Sequence, residues 1–226
     1  MSLSILHRDD LPLGGFAGLR EHRLVTDPKV FGKYAAEGAW PGLANFVYLA
    51  DARFNPKGET HLHDHKEVDV ISVMVEGRIR HEGTLEHGEE IKAPAVQVQR
   101  AGGEGFSHNE INPDDTKNRM IQIWVLPEKA GEPSAYKVYK PEPGSVTRVY
   151  GGTVGQSETF AAKTIVEVAR LAKGEKVAVD GPFMAYMTGG RAAAGELEVC
   201  DGDLLRGEDL ELTSLEGAEI ILIGTL

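Results

Sequence analysis

Residues 59–77 read ETHLHDHKEVDVISVMVEG, and two features of this stretch decide the class of the protein. His61, His63 and His65 alternate with other residues, and residues two apart on a strand point to the same face. The run VDVISVMV that follows is apolar and rich in β-branched residues, and the EG dipeptide after it is a turn signal. The stretch therefore predicts a β-protein with a histidine cluster at the edge of a buried strand.

The spacing of the histidines limits which pairs can share one metal ion. Neighbouring members of the cluster are about 6.6 Å apart along an extended strand, so two imidazoles can converge on one ion at bond lengths of about 2.1 Å. His61 and His65 are about 13 Å apart, which is too far for joint ligation. Two pairs therefore stay open, His61 with His63 or His63 with His65.

A second pair with the same spacing lies further along, in GFSHNE at residues 105–110. His108 and Glu110 follow a glycine-rich turn and face the same side of a strand. Three neutral imidazoles and one carboxylate leave a divalent ion with a net charge of about +1 and open coordination positions, which suits an anionic substrate oxygen or dioxygen. The first cluster alone fits a solvated polar strand equally well, and the second pair favours the metal site.

The rest of the chain predicts an all-β protein. Short segments such as RMIQIWVLP and AEIILIGTL are separated by DG, EG and GG turns, which is typical of barrels and sandwiches. The modest helix candidate is DPKVFGKYAAEG at residues 27–38. Residues 131–160 concentrate Pro, Gly and Ser between two strand-rich halves, so two β units are expected.

Composition excludes several classes of function. A formal net charge of −11 disfavours binding to a phosphate backbone, so we expect no direct contact with nucleic acid. No apolar run approaches the roughly 18 residues of a membrane span, and the first residues lack the pattern of a signal peptide. Cys200 is the single cysteine, which excludes an internal disulfide and indicates a reducing compartment. We therefore expect a cytoplasmic protein, with Cys200 as a buried strand thiol.

At this point the residues resemble a known family. The run from His63 to Asp69, followed by Gly77, resembles the pirin-like pattern HxH-x3-E-x7-G, with Asp69 where the family usually carries Glu. The later AGGEGFSHNEIN and the QIW of MIQIWVLP resemble the AGxGIxHSE and QLW segments of the same family. The resemblance covers about residues 45 to 140 and is faint beyond them.

The resemblance implies two cupin β-barrels in one chain. Residues 1–135 would form a metal-binding cupin and residues 136–226 a degenerate cupin without metal. The absence of histidine after residue 108 agrees with this division. A chain with two barrels can cover with its second half the face that a one-barrel cupin often buries by dimerising, so we expect a monomer.

The resemblance also implies a ligand set. Carried over by position, the metal ligands are His63, His65, His108 and Glu110, with His61 as a partner of a ligand. One divalent transition metal is expected per chain, Fe(II) first, while Ni, Mn, Co, Cu and Zn also fit these donors. Of the other histidines, we expect positions 7, 22 and 87 at the surface, and 81 either there or facing the metal cavity.

Some pirin-like proteins are quercetin 2,3-dioxygenases, so the resemblance implies a small aromatic substrate of the flavonol type and dioxygen, with Glu110 as catalytic base. The alternative is a non-catalytic regulatory protein that responds to a metal or to redox state and binds a protein partner. A third class is a cupin isomerase or hydrolase acting on a small sugar or hydroxy acid. That class needs further polar groups at the metal, for which the sequence offers Arg53, Arg78, Arg80 and Tyr48.

Overall fold

The computed structural model describes residues 3–226 and consists almost entirely of β-strands, so the predicted all-β class is confirmed. Its contacts divide the chain into two compact units. The N-terminal unit is Leu11–Lys140, and the C-terminal unit combines residues 3–10 with Pro141–Leu226. Within the described residues, none of the helices is long and apolar enough to span a membrane.

The strands run in chain order as β1 (Ser4–His7), β2 (Leu13–Phe16), β3 (Leu19–Thr26), β4 (Phe46–Phe54), β5 (His63–His65), β6 (Asp69–Glu76), β7 (Arg78–Gly83), β8 (Glu89–Lys92), β9 (Val96–Arg100), β10 (Phe106–Ile111), β11 (Arg119–Val125), β12 (Ala135–Tyr139), β13 (Ser145–Gly152), β14 (Ala162–Leu171), β15 (Lys176–Ala194), β16 (Leu197–Cys200) and β17 (Asp203–Thr225). Short 3₁₀ turns lie at Arg8–Asp10 and Gly32–Tyr34.

The N-terminal unit is built from two sheets. A seven-stranded sheet has the order β12-β9-β6-β11-β4-β3-β2, and a four-stranded sheet has the order β5-β10-β7-β8. In the middle of the larger sheet, Ser72 on β6 pairs with Gln97 on β9 and with Gln122 on β11. These three polar residues share one face of the sheet, so this face is not a purely apolar core.

The predicted helix near residue 27 is present but short. Helix α1 spans Pro28–Phe31, and the Asp27 carboxylate accepts a hydrogen bond from the Lys29 amide at 2.9 Å as its N-cap. Proline at the first helical position has its φ angle already set for a helix. The helix ends at Gly32, whose φ of 52° is readily adopted by glycine because glycine has no Cβ.

Strand pairing in the four-stranded sheet brings the two predicted ligand motifs together. β10 runs antiparallel to β5, with His63 directly opposite His108, and antiparallel to β7 on its other edge. Gly83 on β7 also lies opposite His108, and a Cβ at this position would be 2.2 Å from the Ser107 carbonyl oxygen. Glycine therefore allows β7 to approach the strand that carries His108.

The larger sheet holds a fully buried ion pair. Asp51 on β4 is 0% exposed and Arg119 on β11 is 3% exposed, and the Arg119 Nε–H donates to the Asp51 carboxylate at 3.1 Å. Burial of both charges is compensated by their contact.

The C-terminal unit is one sheet of order β13-β14-β17-β15-β16, with β1 paired to β17. β15 and β17 are long, with 19 and 23 residues, and Met184 on β15 pairs with both Arg206 and Ile223 of β17. Strand β1 pairs with Asp203–Arg206, so the start of the chain belongs to the unit formed by its second half. Its core is mainly aliphatic but includes Phe183, and Leu212 and Ile220 are fully buried.

The boundary between the units in the second half of the chain lies between residues 140 and 141, because β12 pairs with β9 and completes the larger sheet of the N-terminal unit. The assignment of a metal-binding cupin to residues 1–135 and a metal-free one to 136–226 stays a prediction. The expectation of a buried cysteine is wrong. Cys200 is exposed at the end of β16, and its neighbour Val199 points to the core instead, because side chains alternate along a strand.

Candidate metal centre

Three of the predicted ligands meet at one point in the N-terminal unit. The ligand nitrogens of His63, His65 and His108 all lie within 4.8 Å of one another. The His108 Nε2 atom is 3.0 Å from Nε2 of His63 and 3.2 Å from Nε2 of His65. This convergence follows from the antiparallel pairing of β5 and β10, which sets two strands of alternating side chains edge to edge.

These distances fit a metal ion. Nitrogen ligands bond to a divalent transition metal at about 2.1 Å, so two donors at right angles around the ion are about 3.0 Å apart. The imidazoles must also be neutral to donate a lone pair. Burial, together with the neighbouring His63, lowers the pKa of His65 to about 4. Burial and the two neighbouring imidazoles lower the pKa of His108 to about 2. Both are neutral at pH 7, and the cluster can hold one metal ion.

The orientation of His63 is set by a backbone group of His61. The His63 Nδ1 atom donates to the His61 carbonyl oxygen at 2.9 Å, which leaves the lone pair on Nε2 facing the cluster. The His61 backbone has a φ of 63°, outside the extended region, and the residue precedes β5. Its imidazole is 71% exposed and lies 3.7 Å from Glu59. His61 therefore contacts a candidate ligand through its carbonyl group, whereas its side chain points to solvent.

Glu110 lies beside the cluster, but its role as a ligand stays a prediction. It is 2% exposed and lines the same cavity as the histidines, and its Oε1 atom accepts a hydrogen bond from the Ser72 hydroxyl at 3.0 Å. It is not among the residues whose ligand atoms lie within 4.8 Å of one another. Burial raises the pKa of Glu110 to about 7, although the Ser72 hydrogen bond opposes this shift.

The cavity beside the histidines, which we call the inner cavity, has a volume of about 50 Å³. Its histidine wall comes from the four-stranded sheet, and the opposite wall comes from the seven-stranded sheet. Tyr48 and Trp124 stand there with ring centroids 4.7 Å apart, and the Trp124 ring is 5.5 Å from that of His65. Phe31 of helix α1 stacks on both aromatic rings from behind. The space holds a few water-sized molecules.

Sequence reasoning missed one charged residue of this wall. Glu21 on β3 is 2% exposed, lines the inner cavity and accepts a hydrogen bond from the Tyr48 hydroxyl at 2.9 Å. Its segment REHRLV is polar on the side that faces inward, so hydrophobic alternation could not identify it. The nearest signal in the sequence is Tyr48, which is predicted as a polar group for the metal cavity and does line it.

The three arginines named with Tyr48 do not line the inner cavity. Arg53 pairs with Asp51, and Arg80 pairs with Glu82. The side chain of Arg78 binds Asp114 and Glu90. Of the four groups offered for an isomerase or hydrolase acting on a small sugar or hydroxy acid, the three arginines are therefore engaged elsewhere and only Tyr48 lines the cavity.

The remaining histidines lie outside the cluster. His81 is fully buried, with its ring 5.5 Å from that of His108, and its Nε2 atom contacts the Leu85 carbonyl oxygen at 2.7 Å. It packs behind His108 and does not line the cavity. Of the three histidines expected at the surface, His7 and His87 are exposed and His22 is half-buried.

Fold and site together define the class. An all-β chain whose N-terminal unit brings three histidines from paired strands to one cavity is a cupin-type protein with a candidate metal centre. The comparisons with known proteins specify the family. The family model described as Pirin matches residues 38–125. Over these residues the chain is similar to the pirin family, so the family resemblance found in the sequence is confirmed, as is the predicted fold of two cupin barrels.

Relatives and solved structures agree with this family. A protein of Pseudomonas aeruginosa, named as a candidate quercetin 2,3-dioxygenase, is 29% identical over 178 residues, which cover 71% of this chain and 75% of that protein. A protein of Caulobacter vibrioides, named pirin-like, is 28% identical over 179 residues, with the same two coverages of 71% and 75%. The structure of the bacterial pirin YhhW from Escherichia coli in complex with nickel(II) superposes with a TM-score of 0.83 at 16% identity, over 98% of each chain. At this identity the likeness concerns the fold.

Proposed function

We propose that this protein is a mononuclear metal-dependent dioxygenase of the quercetin 2,3-dioxygenase type, acting on flavonol-like aromatic substrates. The observation that carries the proposal is the convergence of three imidazole nitrogens, 3.0 and 3.2 Å apart in two of the pairs, on a cavity with an aromatic opposite wall. The name of the Pseudomonas aeruginosa relative supports the same activity.

The proposed ligand set is His63, His65 and His108, with Glu110 as the fourth ligand. Fe(II) is the first choice of metal, and Ni, Mn, Co, Cu and Zn suit the same donors. The ion, when bound, supplies Lewis acidity toward a substrate hydroxyl group and a meeting point for substrate and dioxygen. Three neutral imidazoles with a single carboxylate keep the centre cationic and favour an anionic substrate oxygen.

Glu110 is the proposed catalytic base. A general base works best when its pKa is near the operating pH, and in the metal-free protein burial raises the pKa of Glu110 to about 7. We propose that its carboxylate would take the proton of the flavonol hydroxyl group. The Ser72 hydroxyl donates a hydrogen bond to Glu110 Oε1 at 3.0 Å and would hold the carboxylate in place during the proton transfer.

The aromatic wall gives the site its second property, the exclusion of bulk water. Tyr48 and Trp124 pack against each other and against Phe31, so the interior side of the cavity is closed by rings. Phe16, which also lines the cavity, is 47% exposed and forms part of its rim. A whole flavonol exceeds a volume of about 50 Å³, so only the hydroxyl-bearing edge of the substrate would enter the inner cavity.

We propose a cytoplasmic, monomeric protein with its metal in the N-terminal unit alone. A single exposed thiol and a net charge of −11 support a reducing compartment and argue against nucleic acid as a partner.

The first test is elemental analysis of purified wild type beside His63→Ala and His61→Ala, followed by oxygen uptake with quercetin. We expect one metal per chain in wild type and in His61→Ala, because the His61 side chain is exposed and its carbonyl group survives the substitution. His63→Ala should weaken metal binding by more than about 100-fold, beyond the effect of losing a mere partner of a ligand.

Oxygen uptake then decides the chemistry. Metal-loaded wild type should consume dioxygen with quercetin, and Glu110→Gln should bind metal yet turn over slowly. Wild type that holds metal and consumes no dioxygen would leave the regulatory alternative. Wild type that recruits no metal from Fe(II) or Ni(II) would end the proposal altogether.

A further inference from the structure

A buried carboxylate outside the proposed ligand set stands on the wall opposite the histidines. Glu21 comes from the seven-stranded sheet, whereas the histidines come from the four-stranded sheet. Its two oxygens are held separately. Oε1 accepts a hydrogen bond from Arg23 Nε at 2.7 Å, and Oε2 accepts one from the Tyr48 hydroxyl at 2.9 Å. The carboxylate is therefore fixed in position, at 2% exposure, beside the inner cavity.

A purely structural role does not account for Glu21. Its cationic partner Arg23 has a side chain that is 38% exposed and could be hydrated without a buried carboxylate. The ion pair of Asp51 with Arg119 is different, because both members are buried and neither lines the inner cavity. Burying a carboxylate costs several kcal/mol before its partners compensate, so a position at a cavity wall points to a ligand.

Glu21 has hydrogen-bonding capacity to spare. Each carboxylate oxygen has two acceptor positions, and each uses one of them for Arg23 or Tyr48. Burial and the nearby Glu21 charge raise the pKa of Tyr48 well above its usual range, so the phenol stays protonated and keeps donating. A hydroxyl group in the cavity therefore meets an oriented acceptor at Glu21.

Glu21 also lines a second cavity, which we call the outer cavity. This space has a volume of about 400 Å³, and its other lining residues include Pro12, Gly14, Gly15 and Arg23. Glu21 and Arg23 lie two apart on β3 and face the same side of the sheet as the inner cavity. A volume of this size falls in the range of small-molecule sites, which the inner cavity does not reach.

We propose that the outer cavity holds the body of the substrate while its metal-binding oxygen lies in the inner cavity, and that Glu21 between them accepts a hydrogen bond from a second substrate hydroxyl group. The proposal rests on the dioxygenase function above and narrows its substrate class. The protein selects polyhydroxylated aromatic compounds over those with the metal-binding hydroxyl alone.

The test is anaerobic binding to the nickel-loaded protein, followed by fluorescence titration with two flavonols. Quercetin carries further hydroxyl groups, and 3-hydroxyflavone carries only the one that would bind the metal. Glu21→Gln should weaken the binding of quercetin at least about tenfold, because a hydrogen bond to a charged group is lost. The affinity for 3-hydroxyflavone should stay unchanged. The matched control is Glu82→Gln, since Glu82 pairs with Arg80 two residues away on a strand and does not line either cavity.

A second variant tests the outer cavity without touching Glu21. A Cβ at Gly14 would meet its nearest neighbour at 3.7 Å, an ordinary contact, and valine suits a strand position. Gly14→Val should weaken the binding of both flavonols about tenfold, because the valine side chain fills the space that holds the substrate body. Metal content and fold should stay unchanged.

Each outcome is decisive. An equal response of both flavonols to Glu21→Gln, or no response of either to Gly14→Val, overturns this inference and leaves the dioxygenase proposal standing. Wild type that binds neither flavonol overturns both. A quercetin-specific loss in Glu21→Gln, with a general loss in Gly14→Val, supports the two-cavity site.

Discussion

Metal binding to the metal-free protein should release a proton from Glu110. Ligation requires the carboxylate form, and burial raises the pKa of Glu110 to about 7, so part of the population must lose a proton when the ion binds. With this pKa, Glu110 is protonated in about 0.9 of the molecules at pH 6, about 0.5 at pH 7 and about 0.1 at pH 8. These fractions are the expected numbers of protons that Glu110 itself releases per ion.

The same pKa fixes the pH dependence of affinity. Below pH 7 the ion competes with a proton at Glu110, so affinity rises with pH and levels off above pH 8. The expected weakening between pH 8 and pH 6 is about tenfold. His65 and His108 add nothing in this range, because their pKa values of about 4 and about 2 leave both imidazoles neutral.

The assay is isothermal titration calorimetry with Ni(II) in two buffers of different ionisation enthalpy, from which the number of protons released is obtained directly. Glu110→Gln is measured in parallel, and the difference between the two proteins isolates Glu110, because every other group is common to both. Glu82→Gln, which removes a carboxylate beside β10, should behave as wild type. Equal proton release from wild type and Glu110→Gln at pH 6 would refute the ligand role together with the raised pKa.

Three further outcomes concern stability. In the metal-free protein, burial raises the pKa of Glu110 to about 7, so wild type should lose stability as pH rises from about 4.5 through about 7. Between pH 4 and pH 8, the free energy of unfolding in urea should fall by about 3 kcal/mol more for wild type than for Glu110→Gln. Asp51→Ala leaves Arg119 buried without this carboxylate and should cost about 3–5 kcal/mol by the same method, whereas a loss below about 1 kcal/mol would contradict the importance of the pair. Gly83→Ala places a Cβ 2.2 Å from the Ser107 carbonyl oxygen, so thermal unfolding should show a loss of about 1–3 kcal/mol in stability. The same substitution should weaken nickel binding. An unaltered melting temperature would show that β7 can move away at no cost.

The choice between the histidine pairs illustrates where residue spacing stops being informative. Alternation treats His61–His63 and His63–His65 as equivalent, because both assume an extended chain. The structure has a φ of 63° at His61, and the strand starts two residues later at His63. The bend turns the His61 imidazole to solvent and its carbonyl group toward His63 Nδ1. The family pattern selected the same pair from the distance to Gly77, without the backbone geometry that explains it.

The sequence by itself determined the all-β class, the presence of two strand-rich halves, a helix near residue 27 and the set of candidate histidines, whereas the family pattern chose His63 with His65 among them. These features depend on local patterns, namely the period of two in strands, glycine turns and the two-residue spacing of donors. Tertiary structure alone decided that β1 joins the second half of the chain, that Cys200 faces solvent and that Glu21 stands opposite the histidines. Each of these depends on which strands pair and which sheets face each other. Such contacts join residues far apart in the chain, and no local pattern records them.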